Sequence, residues 1–214
     1  MIDGPRLSPA AGGPATSLVV FLHGYGADGN DLIGLAREWS AALPQTAFVS
    51  PHAPDPCAEA PVGRQWFPLT MRDPQEFARG VASARPALDE FLDAELARHG
   101  LDESACALVG FSQGTMMALH VGPQRANRLA GILGYSGLLA DPAALETGAR
   151  KPPVFLVHGD RDELIPVQAV FAAAHGLAEA EIPVEWHVSP GVPHGIGPDG
   201  MELGLAFLKR VLPR

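Results

Sequence analysis

Gly110-Phe111-Ser112-Gln113-Gly114 is a G-x-S-x-G, with one serine set between two glycines. A serine hydroxyl attacks a carbonyl carbon only with assistance. It needs a histidine to take its proton, an acid to orient that histidine, and N–H donors for the oxyanion that forms. The five-residue pattern is weak alone, and its setting strengthens it. Ala105 to Val109 is an apolar, strand-like run directly before it, and Thr115 to Leu119 reads as a helix directly after it. Strand, sharp turn and helix are what a nucleophile elbow requires, and glycines on either side let strand and helix approach closely around a strained serine. The competing reading is a serine that merely caps the helix that follows.

Candidate partners lie further along the chain. After the apolar run Val154 to Val157 comes His158-Gly159-Asp160-Arg161-Asp162-Glu163-Leu164-Ile165-Pro166. Asp160 follows the strand end directly and suits a turn-tying role, bonding its own backbone. Asp162 is far enough along the loop to reach across the strand ends, and is the candidate acid. Eight histidines compete for the base. His23 and His158 close strands, His187 sits within one, His99 and His175 suit helix C-termini, His120 lies in the elbow helix and His52 in a Pro-rich loop. His194 alone follows the last strand, in Gly191-Val192-Pro193-His194-Gly195. The order Ser112, Asp162, His194, each on a loop after a later strand, is that of α/β-hydrolases. Oxyanion donors are expected at the backbone N–H of Gln113, the residue after the nucleophile, and of Tyr25, between glycines in the loop after an early strand.

The elements that must carry these loops are legible as short apolar runs without alternation, the pattern of strands covered on both faces. They are Leu18 to Leu22, Ala47 to Ser50, Ala105 to Val109, Leu129 to Leu133, Val154 to Val157 and Val184 to Val188. Between them Asp73-Pro74-Gln75-Glu76 opens a long amphipathic helix, with an acid as N-cap and Pro at the first helical position. That helix ends near His99-Gly100, with a kink expected at Pro86. Further helices are expected over Gln113 to Val121, Val167 to His175 and Asp199 to Val211. Strands alternating with helices imply an α/β class, a mostly parallel central sheet with helices on both faces.

Composition limits the alternatives. The chain has 214 residues, 47% of them hydrophobic, with 24 Gly and 21 Pro, which fits a single domain over residues 1–214 with many tight turns. Residues 1–16 read as a loosely ordered N-terminal segment. Fifteen basic against 24 acidic side chains, a net charge of −9, disfavour nucleic acid and anionic membrane surfaces as partners. No apolar stretch is long enough to span a bilayer, and the N-terminus lacks the pattern of a secretory signal. Cys57 and Cys106 have no C-x-x-C partner, so a reducing, cytoplasmic setting is expected, with neither disulfide nor metal. Gly24, Gly26 and Gly29 form a G-x-G-x-x-G, but without the supporting dinucleotide or P-loop context. No H-E-x-x-H or paired Cys/His spacing offers a metal site.

Four segments taken in order resemble the small carboxylesterase and phospholipase family that includes acyl-protein thioesterases. They are His23-Gly24-Tyr25-Gly26-Ala27-Asp28-Gly29-Asn30-Asp31-Leu32, Gly110-Phe111-Ser112-Gln113-Gly114, His158-Gly159-Asp160-x-Asp162-x-x-Ile165-Pro166 and Gly191-x-x-His194. The resemblance runs from about Leu18 to Val211. It implies an α/β-hydrolase without a cap domain, a triad of Ser112, Asp162 and His194, and oxyanion donors at Tyr25 and Gln113. It also implies hydrolysis of short- to medium-chain carboxylic esters, without a cofactor, by a monomer or homodimer. Acyl-protein thioesterase and lysophospholipase activity are the alternatives within the same chemistry, and a non-enzymatic ligand receptor is the alternative outside it. Tyr25 stands where relatives commonly have Leu. Trp66-Phe67 resembles a segment that borders the acyl pocket, and Leu138 and Leu164 are candidate walls. Core packing is the competing role for Trp66 and the leucines. Met116 and Met117 read as core.

Overall fold

The structure is a computed structural model and describes residues 2–70, 73, 75–148 and 151–213. Its strands are Arg6–Leu7 (β1), Ser17–Leu22 (β2), Thr46–Val49 (β3), Asp55–Pro56 (β4), Arg64–Gln65 (β5), Cys106–Phe111 (β6), Gly131–Tyr135 (β7), Val154–Gly159 (β8) and Val184–Ser189 (β9). The helices are Gly29–Trp39 (α1), Glu76–His99 (α2), Gln113–Val121 (α3), Gln168–Glu179 (α4) and Pro198–Val211 (α5). Seven strands form one sheet in the order β1-β3-β2-β6-β7-β8-β9, while β4 and β5 form a separate antiparallel pair. Every pairing in the large sheet is parallel except that of β1 with β3.

Strand periodicity divides the core in two. Leu18, Val20 and Leu22 of β2, with Leu108 of β6 and Leu156 of β8, pack on α2, α3 and α4. Val19 and Phe21, with Val109, Leu133 and Val157, pack on α1 and α5 on the opposite face. Side chains alternate across a strand, so one continuous apolar run fills both cores. The expected strands are all present, with ends displaced by up to about two residues, as helix and strand termini usually are.

Four local features depart from the sequence reading. First, α1 occupies a stretch with no expected helix. Asp28 caps it through the Asn30 N–H, and Leu32, Ala36 and Trp39 recur at helical spacing on its buried face. Second, residues 2–16 are tied down rather than loosely ordered. Arg6 and Leu7 pair with Val49 and Phe48, and Arg6 makes a two-pronged contact with the buried Glu95 at 3.1 and 2.7 Å. Third, α2 begins at Glu76. Its N-cap is Gln75, with no side-chain capping bond, so Asp73 is not the cap. Asp73 accepts from the Gln75 N–H at 2.8 Å ahead of the helix, and Pro74 lies outside the described residues. Fourth, α4 continues beyond His175 to Glu179.

Strand order turns outward in opposite directions from β2 and β6. Such a switch point opens a crevice at the carboxyl ends of the strands, the usual ligand site of an open α/β sheet. Tyr25 follows β2 and Ser112 follows β6, so both belong to that crevice.

Candidate active site

Ser112 has φ 52° and ψ −115°, a conformation rarely adopted by a residue with a Cβ. The surrounding packing imposes it. A Cβ on Gly110 would meet the Gly114 carbonyl oxygen at 2.5 Å, and one on Gly114 would overlap the Leu22 carbonyl of the neighbouring strand. The Ser112 N–H donates to Tyr135 O at 2.9 Å, and the Thr115 hydroxyl donates to the same oxygen at 2.8 Å. The Ser112 side chain makes no capping bond to α3, which removes the helix-cap reading of this serine.

Asp162 and His194 meet across two loops. His194 Nδ1 lies 2.7 Å from Asp162 Oδ2, while Asp162 Oδ1 accepts from the N–H groups of Leu164 and Ile165 at 2.9 and 2.8 Å. Burial of the Asp162 carboxyl opposes its ionisation. The Ile165 N–H and His194 outweigh that effect and hold it below the usual carboxylate range. An ionised Asp162 only accepts, so Nδ1 is the donor of this bond, and the neutral tautomer compatible with it leaves the Nε2 lone pair free. His158 stands beside this pair. Its Nε2 donates to Ile165 O, which can only accept, at 2.8 Å, and lies 3.2 Å from Asp162 Oδ2.

The loops themselves are braced. Arg161 N–H donates to Val192 O at 3.0 Å, and Ser136 Oγ donates to Gly195 O at 2.9 Å. Asp160 does not bond its own turn as the sequence suggested. Its Oδ1 accepts from the Gly191 N–H at 2.6 Å and so joins the acid loop to the histidine loop.

Tyr25, Ser112, Gln113 and His194 line one cavity of about 550 Å³. Gln113 opens α3, and the N–H groups of a helix's first turn have no carbonyl partner within the helix. Around Tyr25, the Gly26 N–H donates to Arg64 O and the Ala27 N–H to Gly24 O. The Tyr25 phenol is pushed up to about 12 by its hydrogen bond with Cys57, so it stays neutral. His23, behind this loop, is kept neutral by burial. Its Nδ1 faces Gly24 O at 2.8 Å and its Nε2 accepts from the Ala53 N–H at 3.0 Å.

The apolar walls differ in part from expectation. Leu138 and Leu164 line the cavity, and Leu164 is 73% exposed at its mouth. Trp66 and Phe67 are instead buried in the core and do not line it. Their contribution is indirect. The Gln113 side chain accepts from the Trp66 N–H at 2.9 Å and donates to Phe67 O at 2.8 Å, clamping the elbow to that segment. Met116 does both jobs, packing in the core and facing the cavity. Gly24, Leu69, Phe77, Phe111, Ile165, Pro166 and Ala169 complete the lining and were missed in the sequence. Of these, Gly24, Phe111, Ile165 and Pro166 lie inside recognised motifs and carried a signal that could have found them.

Comparison with known proteins agrees with this architecture. The model of the phospholipase/carboxylesterase family matches residues 9–212. Acyl-protein thioesterase 1 of Gibberella zeae is 27% identical, over 98% of this chain and 96% of its own. Esterase YpfH of Escherichia coli is 27% identical over 94% of this chain and 85% of its own. Among solved structures, the crystal structure of esterase PE8 superposes with a TM-score of 0.94 at 42% identity, covering 99% of both chains. Fold, motif order and relatives agree: the chain is an α/β-hydrolase and belongs to the phospholipase/carboxylesterase family.

Proposed function

We propose that this protein is a serine carboxylesterase that cleaves small-molecule esters of short- to medium-chain acids through an acyl-enzyme intermediate. The observation that carries the reading is the strained Ser112 in one cavity with His194, whose Nδ1 is held 2.7 Å from an ionised Asp162.

The chemistry follows from the protonation states. His194 Nε2 takes the Ser112 proton as Oγ attacks the ester carbonyl, and Asp162 stabilises the imidazolium that results. Backbone N–H groups of Tyr25 and Gln113 hold the oxyanion, each such donor being worth about 3 kcal/mol in comparable enzymes. Collapse breaks the ester C–O bond, and His194 returns the proton to the departing alcohol. The alcohol leaves, water enters, and His194 activates it to release the acid and restore Ser112. The mostly apolar walls, with Leu69, Phe77, Met116 and Leu138, suit an alkyl acyl group.

A thioester serves the same residues equally, since only the leaving atom changes, and relatives named for thioester cleavage favour keeping that substrate in view. A panel of p-nitrophenyl esters and matched acyl thioesters tests the proposal. Turnover of the short esters is expected in the wild type and loss of about six decades in kcat in Ser112→Ala. A wild-type rate in Ser112→Ala would refute it.

A further inference from the structure

Beside the cavity that holds Ser112 lies a second depression of about 450 Å³, between α4 and the segment that follows β7. Leu138 and Ala169 line both. The two compartments therefore meet at one apolar ridge, whose only bulky member is Leu138. Leu139, Ala172 and Ala173 line the far side. Gly176 lets the ridge segment lie close to α4, because a Cβ there would meet Leu139 Cδ2 at 2.8 Å. His175 and Glu179, 3.4 Å apart and both largely exposed, stand where the depression reaches solvent. None of these far-side groups touches the reacting atoms.

We propose that Leu138 sets the upper length of the acyl chain by closing the catalytic cavity against this second groove, which would otherwise take the chain's distal methylenes. The inference rests on the ester-hydrolase reading above. It assigns the groove to the acyl arm for a chemical reason. After the first half-reaction the alcohol has gone and the acyl arm alone stays bound to Ser112, so the apolar walls must hold it until water attacks. Leu138 is half-buried on the core and its Cβ substituents form the barrier. Truncation to alanine removes three carbons there and joins the compartments.

The test compares kcat/KM for p-nitrophenyl butanoate, octanoate and dodecanoate in the wild type, Leu138→Ala, and Leu138→Ala with Ala172→Trp. Ala172 is exposed and lines the second groove but not the first cavity, so the tryptophan is introduced to obstruct the second groove. Each methylene taken out of water is worth about fourfold in rate. Two further methylenes accommodated in Leu138→Ala raise the dodecanoate-to-butanoate ratio by at least about tenfold. The added tryptophan should return the ratio to the wild-type value. Leu138→Val, the milder change, should shift the ratio in the same direction by less, and serves if the alanine variant fails to fold. An unmoved ratio, or one that the tryptophan does not reverse, overturns the ridge while butanoate turnover leaves the esterase reading intact. A wild type inert to every ester overturns both. Lengthening the alcohol of acetate esters is the counter-experiment, and a ratio that follows alcohol length instead overturns the assignment to the acyl arm.

Discussion

Asp162→Asn is the perturbation whose outcome is most constrained by the geometry. The substituted side chain keeps one oxygen. That oxygen is best placed at the Oδ1 position, where the N–H groups of Leu164 and Ile165 both donate. The amide NH2 then faces His194 Nδ1 and His158 Nε2, at positions where the carboxylate oxygen lay 2.7 and 3.2 Å away. A donor cannot meet the Nδ1–H, so His194 gives up that proton and carries it on Nε2, the atom that accepts from Ser112 in the proposed mechanism. Reversal of the tautomer costs about four decades in kcat in comparable serine hydrolases, or about 5 kcal/mol of transition-state stabilisation. Folding is far less affected, because the two backbone donors stay satisfied. Asp160→Asn supplies the contrast. The exposed Asp160 accepts one N–H from Gly191, which an amide oxygen can also accept, so kcat should stay within about threefold and stability within about 1 kcal/mol. Steady-state kinetics on a short p-nitrophenyl ester, with thermal melts alongside, decide the matter. Near-normal turnover in Asp162→Asn, or collapse of turnover in Asp160→Asn, refutes the assignment of the acid.

Two further outcomes follow from packing and charge. Gly114→Ala should lose about 4 kcal/mol or fail to accumulate as folded protein, since its Cβ would overlap the Leu22 carbonyl, whereas Gly34→Ala, exposed in α1 with nothing within 4 Å, should gain about 0.5 kcal/mol. Equal melting temperatures for the two variants would contradict the tight strand-to-helix contact. Arg6→Ala should cost about 2 kcal/mol at neutral pH, because it strips two bonds from Glu95, whose side chain is 1% exposed, and leaves Arg98 as its partner. Burial pushes the Glu95 carboxyl up, and Arg6 and Arg98 pull it below its usual range. A depressed carboxyl adds stability above its unfolded value, near pH 4, and loses it as pH falls through the folded value. The gap between wild type and variant should therefore narrow in urea melts at about pH 3, and a gap of constant size would refute the pairing.

How much could be read in advance depended on whether the signal was local. The sheet strands were legible because a strand covered on both faces is a short unbroken apolar run, as in Leu18 to Leu22. Ser112 was legible because its strain needs small neighbours at fixed offsets, and Gly110 and Gly114 supply them. Asp162 and His194 could be ordered along the chain because each follows a strand end. Helix α1 was missed since Gly29 and Asn30 read as loop and masked the local signals that were present, the Asp28 cap and the helical spacing of Leu32, Ala36 and Trp39. The walls were hardest. Whether Trp66 faces a cavity or the core is set by where Gln113, 47 residues away, anchors its backbone, and no spacing rule encodes that contact. The brace from Asp160 to Gly191 is equally non-local, spanning 31 residues between two loops.

The central claim is that Ser112 is the nucleophile of an acyl-transfer site, and covalent capture tests it most directly. The protein is treated with an alkyl fluorophosphonate, its intact mass is measured, and the adduct is located by peptide mapping. One phosphonyl group on Ser112, formed with parallel loss of esterase activity and absent in Ser112→Ala, is the predicted result. An adduct on another residue, or full activity in protein whose Ser112 is modified, would contradict the account.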